Sequence, residues 1–419
     1  MKINIFIITY IIFFLGCKNI INNNLIVGCL DETAFNYDPI AEIEGSCLYA
    51  EEKIYVSTQG YDQVNILNVI EGEVQDKQNI ITVDYNENFM DTPHYIDIDK
   101  INNLWFVTLI NSGKILMYDL NTNIILDSVF VGDSPALIAH DATKKRLYVS
   151  RMMPMNGMMG MSESDSKKIQ VLDYSNQMLA KISDYELPAP APHGLDISDN
   201  GNFLFVASNT SDWVYKIDTE SGEILNEIFI TDPNSPLPPN TEINYNKPIQ
   251  LKYFDNQIFI TCSAGKFYNG QTEEDIPGKI MVLNSIDLSI ISTYSFEWYS
   301  TPWHIAIDED NNGLFVALSG DMTNLGSAGI SHLSFQNNEF IHHWTTTGPE
   351  FSSCHGIAIS KIYNQVYLSG RGNGILHSIN KNDGTILQST TILMDNNIHH
   401  SQNHDEYSHG AMLGGIAVY

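Results

Sequence analysis

From residue 52 to the end, the chain is built from short alternations of apolar and polar residues, separated by turns rich in Asp, Asn and Gly. The segments PALIAHDATKKRLYVSR (135–151) and PHGLDISDNGNFLFVAS (192–208) show the pattern: an alternating run, a tight turn, then a second run. A period of two marks a strand with unlike faces, so each segment predicts a strand–turn–strand unit. A third strand of the form Lys-Ile-x-Val-Leu-Asp follows, and a fourth comes after a turn such as TESG (219–222).

The unit recurs. Anchored just after its opening proline or equivalent, it falls at His94, Ala136, His193, Ile249, His304, His355 and His409, with spacings of 42, 57, 56, 55, 51 and 54 residues. Four strands per period of this length is the signature of a propeller blade. Only one strand (412–419) follows the last anchor, and the first strands (53–57 and 64–68) lack an inner partner. The terminal strand therefore completes the first blade from inside, closing the ring and leaving no open edge. The expected fold is all-β: a seven-bladed β-propeller over 52–419, closed by the C-terminal strand and preceded by a small disulfide module. The blades resemble the YVTN family of propeller repeats, shared by surface-layer proteins and the propeller of nitrous oxide reductase. Such repeats specify the fold and leave the function open.

The N-terminus has a different character. Residues 3–15 are almost wholly apolar and end in Phe14-Leu15-Gly16-Cys17. The run is short for a bilayer span and suits a cleaved secretory signal (1–16). Its end resembles a bacterial lipobox, which implies lipid on Cys17 and attachment to a membrane. The expected location is the bacterial cell envelope, lipid-anchored and either periplasmic or surface-exposed. After a tether (17–27), Cys29 and Cys47 bracket a module (28–49) too small for a core, and they form the natural disulfide of an exported chain. The run GCLDETAFNYDP (28–39) with EGSC (44–47) resembles a Cys-bracketed repeat of surface proteins in marine and gliding bacteria. Asp31, Asn36 and Asp38 suit calcium in type, although a solvated turn cluster is the stronger reading of such residues.

Composition narrows the partners. Lys and Arg number 21 against 50 Asp and Glu, a formal charge of −29. That charge repels phosphate backbones and excludes nucleic acid as a partner class. No Cys-x-x-Cys-His is present for covalent haem, and no Gly-rich nucleotide loop, Gly-x-Ser-x-Gly or His-Glu-x-x-His.

The candidate chemistry gathers at one mouth of the channel, where each inner strand begins and each loop between second and third strands returns. Imidazoles in register, at His94, His193, His304, His355 and His409, would converge near the axis as transition-metal ligands, with Cys354 beside them. The loop holding Met152, Met153, Met155, Met158, Met159 and Met161 contains Pro and Gly, which rules out a regular element. It reads equally as an adaptable contact surface or as soft ligands for copper. His399, His400 and His404 crowd the final inter-blade loop, Arg371 sits in a turn able to reach the mouth with an anion, and Cys262 reads as core. The resemblance to nitrous oxide reductase implies copper held by inward histidines, but this chain has fewer of them and no electron-transfer domain. Two readings follow. One is an exported propeller binding a transition metal, copper favoured, at its His-rich mouth. The other is a non-catalytic surface module that binds a protein, glycan or small ligand without metal.

Overall fold

The computed structural model describes residues 25–419 other than 33, 84, 86–89, 153–164, 244, 269–272, 322–323, 325 and 396–410. The chain divides into two compact units, Met1–Ala50 and Glu51–Tyr419. The second is a ring of seven four-stranded antiparallel sheets, as the repeat predicts. Six are consecutive in the chain and begin with the inner strands Pro93–Asp99, Pro135–Asp141, Pro192–Ile197, Pro248–Phe254, Pro302–Asp308 and Cys354–Ile359, numbered here as blades 1 to 6. Blade 7 joins the two ends: Leu413–Val418 is innermost, followed by Glu52–Thr58, Gln63–Ile70 and Glu73–Thr82. Ile54 faces Val418 and Val56 faces Ile416 in that ladder. An extra hairpin, Gly265–Tyr268 with Glu273–Ile276, lies between the second and third strands of blade 4.

Apolar residues of the middle strands fill the spaces between neighbouring blades. Ile54, Val56 and Leu67 of blade 7, for example, meet Tyr367 and Leu376 of blade 6. Each such side chain contributes about 1.5–3 kcal/mol on burial. Buried Glu52 adds a polar link across the same seam, accepting hydrogen bonds from the Ser360 hydroxyl (2.7 Å) and the Tyr367 hydroxyl (3.2 Å).

The mouth is shaped by two local devices repeated in every blade. The residue just before each inner strand lies in the left-handed region: Thr92, Ser134, Ala191, Lys247, Thr301, Ser353 and Met412 have φ between 47° and 59°. None is glycine, so each turn carries a steric cost that its surroundings must offset. The ladder then slips. In blade 1 Pro93 pairs with Leu109 but Ile96 with Val107, so His94 and Tyr95 together face Thr108. This is a β-bulge, which bends the strand and re-aims its side chains. All seven inner strands have such an irregularity near their start.

A hydroxyl on the second strand serves the polar groups that the bulge displaces. Thr108 Oγ1 accepts from Tyr95 N (3.0 Å) and donates to Ala136 O of the next blade (2.9 Å). Ser369 Oγ likewise accepts from Gly356 N (2.7 Å) and donates to Gly414 O (2.9 Å). Thr261 bridges Gln250 N and Trp303 O in the same way, and Ser57 donates to His94 O. In four of the seven blades the Ser or Thr at this place on the second strand is thus a joint between blades, whereas Ser150 of blade 2 bonds only to Leu137 of its own blade.

In the N-terminal unit Cys29 and Cys47 form the expected disulfide. Asn36 accepts from Leu48 N and donates to Ser46 O, Asp38 accepts from Ile40 N, and Asp31 accepts from the Tyr49 hydroxyl. The three candidate calcium ligands therefore each spend an oxygen on local turn bonds. Among the described residues no helix is long and apolar enough to cross a membrane.

Ser369→Ala should lower unfolding free energy by about 2 kcal/mol, because it strands both an N–H and a C=O in a buried seam. Ser369→Thr, which keeps the hydroxyl, should lose much less. Equal urea midpoints for Ser369→Ala and the unaltered protein would remove this role for the hydroxyl.

Candidate functional site

The bulged register decides which side chains face one another at the channel neck. The second position of successive inner strands holds His94, Ala136, His193, Ile249, Trp303, His355 and Gly414. In blade 5 this corrects the expected ring: Trp303 occupies the equivalent place, and His304 takes the position held by Tyr95 in blade 1. In blade 7 the equivalent residue is Gly414. His409 lies outside the described residues, as do Met153, Met155, Met158, Met159, Met161, His399, His400, His404 and Cys17. Met152 is described and packs, half-buried, on the core between blades 2 and 3.

Four of the five expected histidines do come together. Ring centroids are 4.6 Å apart for His304 and His355, 5.2 Å for His94 and His355, and 6.3 Å for His94 and His193, each pair meeting edge to face. The bulge is what allows it, since position three of one blade reaches the same layer as position two of its neighbours. Glycines leave room: a Cβ on Gly414 would stand 2.7 Å from His94 O. All four rings are no more than 4 % exposed.

Burial determines their charge. His304 is lowered to about 3 by desolvation, then by the neighbouring His193 and by Lys252. His94 and His355 fall well below the usual range, chiefly through desolvation, with further contributions from other rings of the layer and from Arg371. His193 is lowered by desolvation, partly offset by its hydrogen bond to Ile249 O (2.6 Å). At neutral pH the layer is therefore uncharged, and each ring carries one N–H and one lone pair.

Several of those nitrogens have no partner. His94 Nδ1 meets Gln59 Nε2 at 2.6 Å, but His94 Nε2, His304 Nε2, His355 Nδ1 and Trp303 Nε1 are buried without a hydrogen bond to any described residue. An orphaned buried polar atom costs about 1–3 kcal/mol, and folded proteins rarely tolerate several in one layer without a functional reason.

The arrangement fits a metal less well. Among the described residues no group of three or more His, Cys, Asp or Glu side chains is placed to hold one. Cys354, expected beside the histidines, is instead packed among Ala317, Ile330 and Leu368, where burial pushes its thiol well up and keeps it protonated. Cys262 is core, as expected.

Deeper in the channel lies a polar layer that the sequence reading missed. His140 Nδ1 sits 2.7 Å from Asp97 Oδ2, and Lys252 Nζ sits 3.9 Å from Asp196 Oδ2. Desolvation opposes the charge on His140, but Asp97 outweighs it and lifts the pKa to about 9. Asp97, Asp196 and Lys252 share the fifth position of their strands, where blades 2, 5, 6 and 7 carry Ala139, Ala306, Ala358 and Ala417. A charge where the repeat elsewhere has alanine was the available signal.

Above the histidine layer is a depression of about 1010 Å³. Ile249 and Trp303 belong to its lining, with Asn209, Ser263, Ser319, Ser352, Ser353 and the charged pair Lys247 and Asp321 around them. Polar lining over an apolar and aromatic floor is the usual make-up of a small-molecule site.

The chain matches no protein-family model and has no significant match among curated proteins. Solved structures are similar in shape. A periplasmic gluconolactonase from Pseudomonas aeruginosa superposes with a TM-score of 0.61 at 13 % identity, over 81 % of this chain and 96 % of that one. A provisional 6-phosphogluconolactonase from Bacteroides fragilis gives 0.61 at 10 %, over 88 % and 98 %. Kuenenia stuttgartiensis hydrazine synthase gives 0.55 at 14 %, over 72 % and 80 %. What they share is the propeller.

The two layers predict opposite limbs of a pH–stability curve. His304 titrates near 3 folded against about 6.5 unfolded, so the unfolded chain binds the extra proton. Its depressed pKa costs nothing above about pH 6.5, and stability falls as pH drops below that value. His140 is raised, so its contribution is complete below about pH 6.5 and is lost as pH rises through 9. Urea midpoints between pH 5 and 10 should fall at both ends. His304→Asn should flatten the acid limb above pH 5, and His140→Gln the alkaline limb; variant curves parallel to the parent's would refute the assignment.

Proposed function

We propose that this protein is a binding propeller that holds a small ligand at the neck of its channel, on the layer formed by His94, His193, His304, His355 and Trp303. The observation that carries this is the set of buried nitrogens without a partner among the described residues on four of those five side chains, one of which, Trp303, lines an open depression. A ligand that accepts hydrogen bonds satisfies them and recovers their desolvation cost. Binding is preferred to catalysis because the layer is neutral and has no polarised nucleophile–base pair. The gluconolactonase names of structural neighbours lend a sugar-derived ligand some support by analogy of fold alone. Lipid on Cys17 would display this site at the envelope, with the disulfide module between anchor and propeller.

A second reading keeps the transition metal, with copper first. The lone pairs of neutral imidazoles favour it, and the Met152–Met161 loop and the histidines of 399–409 would add soft or borderline donors. The local field opposes it: Arg371 and Lys252 place positive charge near the rings, without a thiolate or carboxylate ligand among the described residues.

Elemental mass spectrometry on mature protein, exported in the presence of copper and dialysed against a weak chelator, separates the two. The ligand reading expects less than about 0.1 copper per chain, together with a rise in melting temperature on adding a hydrogen-bond-accepting small molecule that His94→Ala and His355→Ala each abolish. About one copper retained per chain, and lost in a His193/His355 double variant, would replace it with the metal reading.

A further inference from the structure

The ligand's chemical class follows from a cation at the edge of the same neck. Arg371 lies in the turn after strand Gln365–Gly370 of blade 6, held by backbone bonds from Arg371 N to Ser353 O (3.2 Å) and Gly372 N to Ser352 O (2.9 Å). Those bonds tie the turn to Ser352 and Ser353, which with Gly372 line the depression. The Arg371 side chain makes no hydrogen bond or ion pair with any described residue. Desolvation alone acts on it, lowering its pKa without a carboxylate in compensation. Its charge is felt by His94 and His355, two of the rings with unpartnered nitrogens.

An unpaired, partly desolvated guanidinium is costly unless an anion completes it, and its planar fork matches a carboxylate. Trp303 Nε1 has no acceptor and can only donate. With Gln59 donating to Nδ1, His94 Nε2 carries the proton and is a second unsatisfied donor. The depression that adjoins the Arg371 turn through Gly372, Ser352 and Ser353 is walled by serine hydroxyls and the Asn209 amide, with Lys247 and Asp321 also in its lining and the Trp303 indole at its floor. Hydroxyls and amides match a polyhydroxylated body, and an indole suits the apolar face of a sugar ring.

We propose that the neck binds an acidic sugar, its carboxylate on Arg371, Trp303 Nε1 and His94 Nε2 and its hydroxyls along the serine-lined wall. This rests on the neck being a small-ligand site, and it adds the charge and body of the ligand. It gives a role to a half-buried cation that has no carboxylate partner among the described residues.

Isothermal titration of the full mature chain with D-glucuronate, D-glucose and acetate tests each part. The expected result is binding of D-glucuronate at least about tenfold tighter than either control, since one contributes only the body and the other only the charge. Arg371→Gln should lose about tenfold or more for D-glucuronate without lowering the melting temperature of the free protein. Arg371→Lys should fall between, keeping the charge and losing the fork. Equal affinity for D-glucose and D-glucuronate, abolished by His94→Ala, would overturn the acidic-sugar proposal while leaving the neck as the ligand site. Unchanged D-glucuronate binding in Arg371→Gln would overturn the anchor. No heat with any of the three at about 10 mM overturns the proposal, and copper retention then decides the fate of the neck reading.

Discussion

A hydroxyl at one place on the second strand, present as Ser57, Thr108, Thr261 and Ser369 in four of the seven blades, connects the fold to its site. A bulge at the start of each inner strand displaces an N–H and leaves a carbonyl without its own-blade partner. Thr108, Thr261 and Ser369 answer both by accepting from one blade and donating to the next. In those blades the bridge satisfies two polar groups that burial would otherwise strand. With it, the carbonyls beneath His94, Trp303 and Gly414 are fixed, and the side chains at the neck inherit that precision. Rigidity of this kind makes a layer of buried rings possible with so little local hydrogen bonding of its own.

The second governing constraint is dielectric. Four imidazoles, with centroids 4.6–6.3 Å apart in the three pairs that meet edge to face, stay neutral because charging any of them in so dry a place is expensive. The positive charge in the channel is carried instead by Arg371 above and by Lys252 and His140 below, and only the lower pair face carboxylates. The molecule as a whole is strongly acidic, so its channel has the opposite sign to its envelope. A narrow, low-dielectric opening focuses such a field, and an anion that reaches it gains more than it would at an open surface.

Much of the architecture was legible in the sequence because it follows from period and from complementary ends. The alternation gave strands, the spacing gave blades, and the unmatched strands at 53–57 and 412–419 gave closure. The site was legible only in outline. The opening proline marks where an inner strand starts, but the bulge lets two residues share one place, so His304 was counted where Trp303 stands. Gly414 escaped notice because glycine has no chemistry to flag, although its missing Cβ is what leaves room for the His94 carbonyl and the Ser57 and Gln59 side chains. Cys354 looked like a ligand by adjacency to His355, yet neighbours in a strand point to opposite faces, and the thiol went to the core. Arg371 was visible as a turn residue whose reach a string of letters does not reveal.

The pairing of Ile54 with Val418 has a consequence for the life of the molecule before it is finished. A ribosome delivers the outer strands of blade 7 first and their inner partner last, so the growing chain carries an unmatched edge until its final residues emerge. Contacts of such sequence separation are slow to form and exposed to misassembly while they wait. The neck, which needs all seven inner strands, is thus assembled in the last step of folding. A chain that stops short of Leu413 lacks the inner strand of blade 7, and with it the place of Gly414 in the neck.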